Sequence, residues 1–259
     1  MECTLEFIDI NFENIDKEHI CCALSDKKGE HQVSSKKAWL KERLKEGIVF
    51  KKGNVRGKVF IEYIPAENAW CPIIADNYMF INCFWVSGKY KGQGIGSKLL
   101  EACIKDSQEK GKKGLVILSS DKKRPFLSDK KYLTNKGFLL ADITKPYFEL
   151  LYLPFEEKGV MPKFKNIAKE NSINKSGFVL YYSHQCPFTS KYVSMIRDYA
   201  KEKSIDLHTI RYENKEQGQN SITPFTTYSL YYNGEFITHE ILTDKKFDQI
   251  FNSLIQNSK

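Results

Sequence analysis

Lys91-Gly92-Gln93-Gly94-Ile95-Gly96-Ser97 is the stretch of this chain whose residue types and spacing point most directly to chemistry. Glycines at alternate positions let the backbone approach a ligand with no Cβ in the way. Lys89, Lys91 and Lys98 surround them with positive charge. The apolar run Phe84-Trp85-Val86 precedes the glycines and an amphipathic stretch comes after them. A strand that feeds such a turn into a helix leaves several N–H groups unpaired and aimed at one spot, the geometry that holds a phosphate or pyrophosphate. The segment predicts a bound, phosphate-bearing cofactor.

Two other phosphate or dinucleotide turns are rivals for this reading. A Rossmann turn comes after the first strand and is answered by an acid about 20 residues on that grips a ribose. Here the turn comes late, after several strands, with GxGxG spacing, and it fits that pattern less well. A Walker loop ends in Gly-Lys-Ser/Thr, which Gly96-Ser97-Lys98 does not supply.

Other reactive side chains are scattered. The cysteines (Cys3, Cys21, Cys22, Cys71, Cys83, Cys103, Cys186) are odd in number and lack framework spacing, which favours a reducing, cytoplasmic compartment. Cys83 falls on an apolar strand and reads as a buried structural thiol. The five histidines are far apart, and His184 with Cys186 is the one close soft pair, so no metal is expected. No general base is identifiable; Glu62, Asp76 and Glu149 are the candidates, and such carboxylates are more often solvated or paired than catalytic.

The 259 residues carry a net charge of +8. From Ser176 onward nine basic residues balance nine acidic ones, so the first 175 residues hold the whole excess. That excess suits an anionic ligand; no nucleic-acid recognition motif accompanies it, so nucleic acid is not an expected partner. No apolar run approaches membrane-spanning length, and the acidic N-terminus MECTLEFIDINFE does not read as a signal peptide.

The elements that must position these residues can be read from periodicity. Strands are expected at Leu5–Ile10, Ile48–Phe50, Lys58–Ile64, Met79–Val86, Leu115–Ser119 and Tyr147–Leu153. Helices are expected around Glu18–Leu24, over Ser34–Glu46 with Ser34 or Ser35 as N-cap, over Gly96–Lys110, and at Asp129–Asn135 closed by Gly137. This is an α+β (α/β) chain with a mixed sheet. Glu156–Ser176, rich in lysine and asparagine and without periodicity, reads as a linker. Beyond it come strand Phe178–Ser183, a helix opened by Cys186-Pro187-Phe188-Thr189, strand Ile205–Tyr212, a hairpin around Asn233-Gly234, and a last helix from Asp244. The expected organisation is a first domain over 1–156, a linker over 157–176 and a smaller βαβ-hairpin-α domain over 177–259.

With strand FINCFWV before it and helix, strand LVILS and Lys136-Gly137-Phe138 after it, the glycine turn resembles the acetyl-CoA pyrophosphate loop of GNAT N-acetyltransferases. The resemblance covers roughly the first 155 residues, by a count of elements good to a few residues at each boundary. It implies an acetyl-CoA-dependent N-acetyltransferase that moves an acetyl group to a primary amine by direct attack on the thioester. Backbone N–H groups of Trp85 and Val86 would meet pantetheine and acetyl carbonyl. Lys91, Gly92, Gln93, Gly94, Ile95, Gly96 and Ser97 would hold the pyrophosphate. The family's acid tyrosine stands four residues before the glycine of the Gly-Phe pair, where this chain has Leu133. Tyr132 is adjacent, and reads either as the displaced acid or as a packing residue. Phe126 stands where that motif often has asparagine.

The second domain resembles a thioredoxin-like unit, with Cys186 at the helix start and Thr223-Pro224 where that fold keeps a cis-proline. Helix N-termini lower thiol pKa values, so Cys186 is a possible reactive thiol, although Thr189 replaces the second cysteine and removes any internal dithiol cycle. The pairing of the two units is similar to the YoaP-like acetyltransferases, as are the runs INCFWVSGKYKG, PFLSDKKYLTNKGF and PYFELLYLPF. The alternative reading is a non-catalytic acyl-CoA-binding or thiol-sensing protein that uses Cys186. The amine acceptor and the oligomeric state are not readable from these residues.

Overall fold

The computed structural model describes residues 5–20, 22–156 and 160–256. In chain order the first unit comprises β1 (Phe7–Asp9), α1 (Gln32–Leu44), β2 (Val49–Gly53), β3 (Val59–Pro65), β4 (Ile73–Ile74), β5 (Tyr78–Val86), α2 (Ile95–Glu109), β6 (Gly114–Ser120), α3 (Lys130–Thr134), β7 (Leu139–Thr144) and β8 (Phe148–Pro154). Seven of its strands form one mixed sheet in the order β1-β2-β3-β5-β6-β8-β7. The β5–β6 pair is parallel and its crossover is α2; the other pairs are antiparallel.

Two cores sandwich this sheet. On one face α2 turns Ile95, Leu99, Leu100 and Cys103 inward against Ile61, Met79, Ile81, Leu115 and Ile117. Each such aliphatic burial stabilises by about 1.5–3 kcal/mol. On the other face α1 lays Trp39 and Leu40 over Phe50, Phe60 and Ile64. Alternation along β3 sends Phe60 and Ile64 to one core and Val59, Ile61 and Tyr63 to the other, so the strand is buried on both sides.

Several expected boundaries move. Helix α1 starts at Gln32 because the Asp26 carboxylate accepts from the N–H groups of Val33 (2.6 Å) and Ser34 (3.0 Å), a cap supplied from outside the helix in place of Ser34 or Ser35. No helix forms at the described part of residues 18–24. That part is irregular and follows a turn at residues 12–17, led in by Asn11, whose side-chain oxygen takes the N–H groups of Glu13 and Asn14. Strands β4 and β7 carry no strong pattern in the sequence: β4 is two residues long, and Leu139, Leu140 and Ile143 of β7 are exposed on an edge.

The described part of the connecting segment is also folded. Strand β9 (Lys163–Phe164) pairs with β4, and a short helix α4 (Ile167–Glu170) comes next. Phe164 and Ala168 are buried, Asp142 accepts from the Phe164 N–H at 2.9 Å, and the Thr144 hydroxyl donates to Ala168 O. Lysines and asparagines mask this packing in the sequence.

The C-terminal unit comprises β10 (Phe178–Tyr182), α5 (Pro187–Glu202), β11 (Leu207–Arg211), α6 (Lys215–Gln219), β12 (Tyr228–Tyr232), β13 (Glu235–Thr238) and α7 (Asp244–Gln256). Its sheet runs β11-β10-β12-β13, with β10 parallel to β11 and antiparallel to β12. Asn233 and Gly234 both take positive φ, as a two-residue hairpin of this twist requires. The peptide bond expected to be cis, Thr223–Pro224, is trans; the cis bond among the described residues is Lys145–Pro146.

The two units are docked tightly. Helix α1 lies against α5, the Thr226 hydroxyl donates to Trp70 O, and Gln219 Nε2 donates to the carbonyls of Glu67 and Ala69. Gly218 sits so close to Trp70 that a Cβ there would meet its side chain at 2.9 Å. His239 is buried at the seam, between the Tyr147 hydroxyl (2.6 Å) and Pro125 O (2.8 Å).

Candidate active site

The site begins where β5 leaves β6. The two strands pair from Tyr78↔Gly114 to Ile81↔Ile117 and no further, while β6 stays paired with β8 to its end. The divergence starts at Asn82, an extra residue in the β3–β5 ladder: Tyr63 faces Ile81 and Glu62 faces Cys83. Such a bulge bends the strand and re-aims the residues beyond it. Residues 82–86 therefore open a wedge with β6.

The register decides which N–H groups line the wedge. Ser87 N–H donates to Lys58 O at 3.0 Å. Alternation then directs the amides of Trp85 and Cys83 to β3, and those of Phe84 and Val86 into the wedge. Of the expected pair, the Val86 amide thus faces the wedge, and the Trp85 amide turns to β3. The Trp85 side chain projects on the α1 face of the sheet and is 43% exposed.

The glycine turn closes the open end of the wedge. Gly92 (φ 75°) and Gly94 (φ 73°) adopt left-handed backbone that other residues resist, and Gly94 is the N-cap of α2. A Cβ at either would touch nothing within 4 Å, so their outer side is open. Lys98 N–H makes the first helical bond, to Gly94 O. No side chain caps α2, which leaves the first-turn amides of Ile95, Gly96 and Ser97 available for an anion. Lys91, Gln93 and Lys98 are exposed beside them.

Tyr132 reaches this corner from α3. The Asp129 carboxylate caps that helix by accepting from Tyr132 N–H. Leu133 points into the core. The Tyr132 ring packs on Phe84 with centroids 5.8 Å apart. Its hydroxyl is buried without a hydrogen-bond partner among the described residues and lies beside Gly96. Burial raises its pKa above the ordinary tyrosine value, and the nearby Ser97 hydroxyl opposes this without reaching hydrogen-bond geometry.

A model described as "Acetyltransferase (GNAT) family" matches residues 13–126, and one described as "YoaP-like" matches residues 206–249. The uncharacterized N-acetyltransferase YoaP of Bacillus subtilis is 44% identical over 248 residues, 96% of this chain and 99% of that one. The chain belongs to the YoaP-like GNAT N-acetyltransferases. Among solved structures, a GNAT-family acetyltransferase of Staphylococcus aureus Mu50 aligns with 59% of this chain and 100% of its own at 17% identity and TM-score 0.40. The PaiA N-acetyltransferase of Thermoplasma acidophilum, in complex with coenzyme A, aligns with 59% and 99% at 14% identity and TM-score 0.39.

The three carboxylates proposed from sequence for this acetyltransferase separate cleanly. Asp76 is exposed and precedes β5, about 30 Å of extended strand from the wedge mouth. Glu149 is buried on β8 and takes Lys130 Nζ at 2.8 Å, which pins α3 to the sheet. Glu62 is buried on β3; Lys36 Nζ holds Oε2 at 2.5 Å and Asn82 Nδ2 donates to Oε1 at 3.1 Å. Glu62 adjoins the wedge through Asn82 of β5, and Glu149 stands across from Ser119 on the wedge's other wall, β6, while Asp76 is remote from both.

The thiols differ from expectation. Cys83, read as buried, keeps accessible surface; it sits in a concave place whose walls push its pKa well up. Cys186, the possible reactive thiol, is the N-cap residue of α5, where a helix start favours thiolate; burial opposes this and raises its pKa to about 12 despite the Phe188 N–H. Thr189, in the place of a second cysteine, donates its hydroxyl to Ser183 O and Cys186 O. Among the described residues no group of three or more His, Cys, Asp or Glu is placed to hold a metal, and no helix is long and apolar enough to cross a membrane. Sequence reasoning missed Asn82; its signal was a polar residue inside the apolar run FINCFWV.

Proposed function

We propose that this acetyltransferase binds acetyl-CoA along the wedge and passes its acetyl group directly to a primary amine. The amine nitrogen forms a C–N bond to the acetyl carbon as the C–S bond breaks. Nitrogen gives up one proton to solvent, and the departing sulfur takes one from Tyr132. The amides of Phe84 and Val86 face the pantetheine and the carbonyl oxygen that gains charge. The amides of Gln93 to Ser97, with Lys91 beside them, take the pyrophosphate, and the α2 N-terminus adds its dipole. Holding donor and amine in one cleft converts a bimolecular encounter into a positioned one.

The observation that carries this reading is the buried, unpartnered Tyr132 hydroxyl, set between the wedge residue Phe84 and the first turn of α2. A raised pKa keeps the proton on Tyr132 until the thiolate demands it. The C-terminal unit reads as thioredoxin-like, supported by its β11-β10-β12-β13 order and by Cys186 at the head of its first helix. The free thiols of Cys22, Cys71, Cys83, Cys103 and Cys186 support a cytoplasmic setting.

Calorimetry with acetyl-CoA, and then thiol release over a panel of amines, tests the reading. Micromolar binding with amine-dependent thiol release is expected. Absence of binding would sink it, and binding with no turnover on any amine would favour the acyl-CoA-binding alternative.

A further inference from the structure

Asn82 stands at the apex of the wedge with half of its amide unexplained. Glu62 offers oxygens that only accept, so the Asn82 NH2 must face it, which fixes Oδ1 on the other side of the amide. That oxygen is buried and has no hydrogen-bond partner among the described residues. Buried carbonyl oxygens are costly to leave unpaired, and the exceptions in a native fold mark places where something else binds.

The surroundings say what kind of donor fits. Lys36 and Glu62, both buried, neutralise one another beneath the amide. Next to Glu62 across the ladder is Cys83, and two residues on is the exposed Trp85 ring. The opposite wall comes from the C-terminal unit. Ser35, adjacent to Lys36, meets Ser190 Oγ at 3.4 Å, and Lys191 pairs with Glu30 at 2.9 Å. Cys186 lies one helical turn before Ser190, so it caps α5 on the side facing this cleft. Cys22, Cys83 and Cys186 all keep accessible surface. The thiols are protonated at neutral pH, and Lys58, the other cation near Cys22, is solvent-exposed.

We propose that Asn82 Oδ1 receives an N–H of the acceptor amine, in a cleft whose far wall is the Cys186 end of α5, and that the acceptor is a primary amine with an uncharged body. This rests on the acyl-transfer reading and adds the acceptor side to it. A neutral carbonyl orients the amine without selecting its ammonium form, leaving the lone pair free for attack. Among the described residues named here the floor charges cancel and Lys58 turns to solvent, so neither sign of charge on the substrate body is favoured.

The test uses the full chain with acetyl-CoA and three amines: phenethylamine, phenylalanine and spermidine. Phenethylamine is expected to have the highest kcat/KM. Asn82→Ala is expected to lower that value about tenfold, the scale of one lost hydrogen bond, with acetyl-CoA affinity by calorimetry unchanged. Cys186→Trp, which narrows the cleft from the other unit, is expected to raise the amine KM about tenfold and leave acetyl-CoA affinity alone. Wild-type kinetics in both variants would overturn the proposal, as would a tenfold preference for phenylalanine or spermidine. Failure of the wild-type chain to bind acetyl-CoA would overturn the donor reading itself, and this inference with it.

Discussion

The Tyr132 hydroxyl ends so close to Gly96 that a Cβ on that glycine would stand 3.2 Å from it. One tyrosine thus spans from the wedge to the first turn of the anion-binding helix. Tyr132→Phe keeps the ring against Phe84 and removes only an unpartnered hydroxyl, so stability should change by less than about 0.5 kcal/mol. A loss of kcat of about 10²-fold or more is expected if the proton it carries is used, with acetyl-CoA affinity retained. Steady-state kinetics beside a thermal melt check both; unchanged kcat would return Tyr132 to a packing residue.

The Cys186 thiol should be slow to alkylate. Its pKa of about 12 lies well above the ordinary cysteine value near 8.5, so little thiolate exists at pH 8. Stability drawn from keeping it protonated is present below the unfolded pKa and is lost as pH rises through about 12. Iodoacetamide labelling read by peptide mass spectrometry should show Cys186 reacting at least about tenfold slower than the same cysteine in urea.

Lys36 and Glu62 form an ion pair with side chains 1% and 2% exposed. Lys36→Met strands a buried carboxylate and should cost about 3–5 kcal/mol in urea unfolding. Lys36→Met with Glu62→Leu removes both charges and should recover most of that loss. If the double variant is no more stable than the single one, the pair is not what links α1 to β3.

His239 couples the seam between the units to pH. Pro125 O accepts only, so His239 Nε2 bears the hydrogen and Nδ1 accepts from the Tyr147 hydroxyl, which requires the neutral ring. Burial lowers its pKa below the usual value near 6.5. The stability gained is complete above the unfolded pKa and is lost as pH falls through the folded one. Unfolding free energy should therefore drop below about pH 6.5 more steeply in the wild type than in His239→Gln; parallel curves would contradict this.

The features legible in the sequence were local. Strand, glycine turn and helix come from three alternate glycines between an apolar run and an amphipathic one, and the structure places them within a residue or two. The Asn233-Gly234 hairpin was equally plain. Tyr132 was ambiguous because a five-residue helix has no fixed phase until Asp129 caps it. Features that depend on long-range partners were hidden. Asp26 caps a helix it does not belong to, Cys83 is accessible because β5 bends at Asn82, and Phe164 is buried because β4 waits for it. Cys186 was open on a similar ground: a helix start favours thiolate, and burial by partners distant in sequence opposes it.

The seam between the units also alters how the chain should come apart. Tyr212 of the C-terminal unit is part of the same buried cluster as Phe50, Trp70 and Phe148 of the first, with Tyr181, Phe225 and Phe236 packed against it. One unit cannot melt without opening the other's hydrophobic interior. Two sheets that look like separable modules are thereby bound into one cooperative unfolding unit, and a catalytic fragment cut at the connecting segment would begin life with an exposed apolar wound.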